Sequence, residues 1–182
     1  ETTANLQKML RVGDVDFVLD NCDMDEEVFA RKMYQKEYLF LAVPKYLKVN
    51  EKLREYCVDV EQIRNFGFLD EKVRPVDLSL FSEEAFILLK PENDTRIRAM
   101  ELCKQHGFTP NIVFELDQQM TSYNVTCSGM GVSFISNTLI SNVPESSEVV
   151  YYKLAGEKAC RNLYFYWKRS GYLSKVMQAF LE

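Results

Sequence analysis

The stretch Val125-Thr126-Cys127-Ser128-Gly129-Met130-Gly131-Val132-Ser133-Phe134-Ile135-Ser136 decides the fold. Its first residues close a helical pattern, its two glycines turn a corner, and its last five, Val132 to Ser136, read as a strand. A glycine at 129 can take the left-handed conformation that ends a helix, and one at 131 lets backbones approach closely where the strand begins. Immediately upstream, Met120, Tyr123 or Asn124, and Cys127 recur at helical spacing, so a helix is predicted over 118–128 with Asp117 as its cap. Before that, residues 111–116 are apolar between Pro110 and the polar Asp117-Gln118-Gln119, as expected of a buried parallel strand.

Further upstream, Phe86-Ile87-Leu88-Leu89 reads as a strand, and residues 95–106 as a helix with Ile97, Met100 and Cys103 inward and Gly107 at its end. Strand, helix, strand, helix, strand in that order predicts a parallel sheet of the α/β class. Residues 14–20 read as another strand, 28–33 and 38–43 as two more, and 50–66 as a helix. A short helix over 137–142, strands over 148–154 and 161–167, and a terminal helix over 172–181 complete the chain. The acidic loop Asp23-Met24-Asp25-Glu26-Glu27 lacks the glycine and distal glutamate of a calcium loop and reads as a solvated turn.

Composition narrows the function. With 182 residues, 47% of them hydrophobic, the chain can bury a sizeable core. A formal net charge of −5 argues against this chain alone gripping nucleic acid. No apolar run has membrane-spanning length, and residues 1–5 have no leader-like pattern. Five cysteines scattered without paired spacing fit reduced thiols in a cytoplasm. No phosphate-binding glycine loop, zinc motif or nucleophile motif is present, and the single histidine, His106, ends a helix. An enzyme and a cofactor are therefore not expected. Cys127, beside the glycine turn, has no basic neighbour in sequence to favour a redox-active thiolate.

The glycine stretch resembles the "lVaaGlGialLP" segment of the effector-binding domain of LysR-type transcriptional regulators, with Ser136 where a proline usually stands. Three further segments are similar to family patterns in the same order. Residues 6–19, LQKMLRVGDVDFVL, match "L...L..G.lDlal"; residues 40–44, FLAVP, match "lvlVvp"; and residues 84–89, EAFILL, match "ePfIl". The related bacterial solute-binding proteins share the fold and remain the alternative, an exported component of a transport system. A periplasmic-binding-like enzyme would instead need a convergent acid/base pair, with Asp20 and Asp117 as candidates.

The resemblance implies the type II periplasmic-binding-protein fold, two Rossmann-like subdomains joined by a hinge with a ligand cleft between them. Residues 1–84 and 167–182 would form subdomain I and residues 85–166 subdomain II. Subdomain I would lack its first strand and helix, and an N-terminal winged helix would lie outside this chain. The implied partners are a small-molecule effector, DNA through that missing domain, and further copies in a homodimer or tetramer. Ligands bind beyond the carboxyl ends of strands in such sheets. The candidate ligand-binding residues are accordingly Thr3 at a helix start, Asp20 and Asn21, Leu89 and Lys90, Gln118 and Gln119, and the corner Gly129, Met130 and Gly131. With Asp117 capping its helix, the effector's negative group is expected by Thr3, and a neutral or cationic group on the Asp117 side.

Overall fold

The computed structural model describes residues 3–181. In chain order the elements are α1 (Thr3–Val12), β1 (Val18–Asp20), β2 (Phe29–Pro44), β3 (Cys57–Val58), α2 (Val60–Arg64), β4 (Ala85–Leu89), α3 (Asp94–Gln105) and β5 (Asn111–Leu116). They continue with α4 (Gln119–Cys127), β6 (Val132–Ser136), α5 (Asn137–Asn142), β7 (Val149–Lys153), β8 (Cys160–Lys168) and α6 (Lys175–Leu181). Two compact units result, divided at 37/38 and at 160/161. These divisions differ from the 84/85 and 166/167 read from sequence. The reason is that residues 39–44 of β2 pair with β6 and β7, which ties the chain from Tyr38 onward to the second unit.

In the first unit β1 runs antiparallel to β8, with Asp20 opposite Tyr164. Alternation along β1 turns Val18 and Asp20 inward and Leu19 outward. Val18 joins Leu10 of α1, Met24, Phe29 and Tyr166 in a small core. The outward residues of β8 meet a different set: Phe165 packs on Tyr34 and Phe180, and Trp167 on Phe17. The aromatic density of β8 is therefore packing on two faces of a strand. Val176 of α6 is 79% exposed, and no residue of that helix is buried.

In the second unit β4 is flanked by β5 and β6, both parallel to it, and β6 pairs in turn with the antiparallel β2. Leu39, Leu41 and Val43 of β2 face one core with Phe86, Leu88, Phe134 and Leu102, while Phe40 and Ala42 face another with Ile135, Tyr123 and Tyr151. A sheet buried on both faces needs apolar residues at consecutive positions, which explains the unbroken runs at 39–43 and 86–89.

Several expectations change. Phe29–Pro44 form one strand in place of the two expected over 28–33 and 38–43, because Gln35-Lys36-Glu37 contains no turn former and continues β2. The helix expected over 50–66 is replaced by two 3-10 turns, β3 and the five-residue α2, started by a capping box between Asp59 and Gln62 and followed by Phe66 in the left-handed conformation. β5 is an edge strand, largely exposed, with Val113 unpaired at a bulge against β4. On α3 the inward residues are Ala99, Leu102 and Cys103, while Ile97 is exposed. Arg96 and Arg98 are buried instead because carbonyls of Leu89 and Lys158 accept their guanidinium bonds.

Candidate functional site

The first unit brings three of the predicted residues together. The inward Asp20 places Oδ1 against the loop that follows it, accepting bonds from the amides of Asn21 at 2.7 Å and Cys22 at 3.2 Å. Thr3, at the start of α1, donates its hydroxyl to Cys22 Sγ at 3.5 Å. Thr3, Asn21 and Cys22 are half-buried, whereas Asp20 is only 8% exposed. Its second carboxylate oxygen, Oδ2, is buried with no hydrogen-bond partner among the described residues. Arg31 offers it no ion pair, being committed to Asp23 at 2.6 Å and Glu26 at 2.8 Å. The bond to the Tyr166 hydroxyl and then the one to Asp23 raise the pKa of Arg31 further.

The second unit brings four more together, at the carboxyl ends of its parallel strands. Leu89 is the last residue of β4, and its carbonyl accepts from Arg96, which also reaches Glu115 at 2.9 Å. Lys90 pairs with Asp117 at 2.6 Å, and that carboxylate raises the lysine pKa. Asp117 therefore does not cap α4. The N-cap is Gln118, exposed and without a side-chain cap bond. Gln119 turns back across the sheet end: its Oε1 accepts from the amide and hydroxyl of Ser136, and its Nε2 donates to Thr95 Oγ1 at 3.4 Å.

The corner of Gly129, Met130 and Gly131 lies elsewhere, at the amino ends of β4 and β6. Gly129, with φ +82°, closes α4 in a Schellman arrangement, its amide bonded to Thr126 and that of Met130 to Val125. A Cβ on Gly131 would stand 2.6 Å from the Ala85 carbonyl oxygen. The pair is required by helix closure and by the close approach of β6 to β4, at the end of the sheet opposite the other candidates of the second unit.

Sequence reasoning missed Thr95, Arg96 and Ser136. A signal existed for Ser136, which immediately precedes a predicted helix and caps α5 through a bond from the Leu139 amide. Away from these residues, a groove of about 540 Å³ runs along α4, lined by Met120, Tyr123, Asn124, Cys127 and Glu145 among others. The hydroxyl of Tyr123 stands 3.0 Å from that of Tyr151 in the core, and burial raises both pKa values, keeping them neutral. Burial also pushes the Cys103 thiol up to about 12, so it is a packing residue. Among the described residues, no group of three or more acidic, cysteine or histidine side chains is arranged to hold a metal, and no helix is long and apolar enough to cross a membrane.

The LysR substrate binding domain model matches residues 1–182. The chain belongs to that family. It is 26% identical over 180 residues to the uncharacterized HTH-type transcriptional regulator YcgK of Bacillus subtilis, covering 98% of this chain and 53% of that protein. The HTH-type transcriptional regulator CbbR of Rhodospirillum rubrum is 26% identical over 98 residues, 54% of this chain and 33% of its own. The chain thus spans about half or less of these relatives. Among solved structures, the regulatory domain of Synechocystis CcmR in complex with 2-PG superposes with a TM-score of 0.72 at 17% identity, over 100% of this chain and 77% of that one. The effector-binding domain of BenM with its effector benzoate gives 0.65 at 17% identity, over 94% and 68%. The mixed α/β architecture is that of the LysR effector-binding domains, of the type II periplasmic-binding-protein kind.

Proposed function

We propose that this chain is the effector-sensing part of a LysR-type transcriptional regulator. The candidate effector-binding residues are Thr3, Asp20 and Asn21 in the first unit and, separately, Leu89, Lys90, Gln118 and Gln119 in the second, and each unit serves as one regulatory subdomain. Binding favours one arrangement of the chain over another, and that bias is passed to a DNA-binding portion outside it. Assembly as a homodimer or tetramer belongs to the same proposal. The observation that carries it is the gathering of hydrogen-bonding side chains at strand ends in a chain of this family. In the same reading Gly129, Met130 and Gly131 act as scaffold. No catalytic step is proposed, since Asp117, one of the two acid/base candidates, is engaged by Lys90.

Thermal denaturation against a library of metabolites tests this reading. A ligand at a hundred times its Kd stabilises by about 2.7 kcal/mol, a readily measured shift. Concentration-dependent stabilisation by at least one small molecule, weakened by Gln119→Ala, is expected. A library in which nothing stabilises the chain contradicts the proposal.

A further inference from the structure

We infer that the first unit binds a protonated amine, and that Asp20 Oδ2 is the atom that receives it. The inference rests on the effector-sensing reading and adds the chemical class of the ligand. A carboxylate taken out of water needs its lone pairs filled, and a buried one is normally paired or fully hydrogen-bonded. Asp20 meets half of that requirement: Oδ1 holds the Asn21 and Cys22 amides, which fix the orientation of the group. Oδ2 is left buried and unpartnered, on a side chain only 8% exposed.

No described cation is bonded to Asp20. Arg31 is held by Asp23 and Glu26, Lys168 donates to the Arg11 carbonyl, and Arg161 is bonded to Glu37. A neutral donor satisfies geometry alone, whereas an ammonium supplies both the hydrogen bond and the counter-charge, and charge-assisted bonds are about twice as strong. The neighbours that hold the carboxylate, Asn21 and Cys22, are half-buried, as is Thr3, whose hydroxyl is bonded to Cys22. This reverses the expectation drawn from sequence. That expectation placed the effector's negative group by Thr3 because Asp117 was to repel it from α4, but Asp117 is bonded to Lys90 and the unsatisfied carboxylate lies on the Thr3 side.

The test uses matched probes on the whole chain: lysine, 4-aminobutyrate, putrescine and cadaverine, each beside the counterpart in which the amine is acetylated or replaced by hydroxyl. At least one amine is expected to raise Tm, its counterpart to bind roughly tenfold more weakly or worse, and Asp20→Asn to cause a loss of the same size. Because the acetylated and hydroxyl counterparts are compared on the wild-type chain, the result stands even if Asp20→Asn does not fold. Amines without effect while carboxylates or neutral compounds raise Tm would overturn the amine assignment and leave effector sensing intact. Equal binding of amine and counterpart, or amine binding unchanged in Asp20→Asn, also overturns it. Silence of every compound, in this set and in the broader library, defeats both.

Discussion

The two groups of strand-end side chains differ in how far each satisfies itself. In the second unit, Lys90 answers Asp117, Arg96 answers Glu115 and the Leu89 carbonyl, and Gln119 closes on Ser136 and Thr95. In the first, Asp20 keeps one buried oxygen with no partner. A self-satisfied network is stiff and defines a surface, while an unsatisfied buried group costs stability until something fills it. The difference separates a group in the second unit that satisfies itself from one in the first unit that leaves a specific atom unfilled.

The largest effect is expected away from both groups. Gly131→Ala drives a Cβ to 2.6 Å from the Ala85 carbonyl oxygen and forces a non-glycine residue into φ +153°. Denaturant unfolding is expected to show a loss of about 3 kcal/mol, because backbone on both sides must move. A loss below about 1 kcal/mol would mean that β6 is not locked to β4 at that corner. Next comes Gln119→Ala, which strands the amide and hydroxyl of the buried Ser136. About 2 kcal/mol should be lost, and a neutral result would remove the claim that this network is closed.

Asp20→Asn is expected to act in the opposite direction. The amide oxygen can keep the bonds from Asn21 and Cys22, and the buried charge disappears, so the ligand-free chain should gain about 1 kcal/mol by the same unfolding measurement. Loss of stability instead would show that the carboxylate is already compensated. The smallest effect belongs to Lys90→Ala. Its ion pair with Asp117 is exposed, with side chains 48% and 72% accessible, so the unfolding midpoint should barely move and any difference should vanish in high salt.

These contrasts also mark what could be read from sequence. The strands at 85–89 and 111–116 follow from apolar runs, and the strand at 132–136 and the helix at 137–142 from local start and stop signals. Asp20 was legible as a polar residue at the end of a strand. That one of its oxygens is unpaired was not, since this depends on where α1 and the Cys22 loop pass in space. The Gln119–Ser136 bond spans 17 positions and has no local signature. Residues 50–66 carry helical periodicity, yet the capping box at Asp59 starts the helix late and Phe66 follows in a left-handed turn. Cap chemistry there outweighs the spacing of apolar residues. Asp117 illustrates the same limit: a good cap by sequence, it meets Lys90 across the sheet end instead.

The most direct test is a crystal structure of the chain with a small molecule that stabilises it. A ligand nitrogen is expected about 2.8 Å from Asp20 Oδ2, with the bonds from Asn21 and Cys22 to Oδ1 retained. A bound ligand that leaves Oδ2 without a partner, or that sits instead in the groove along α4, would contradict that expectation.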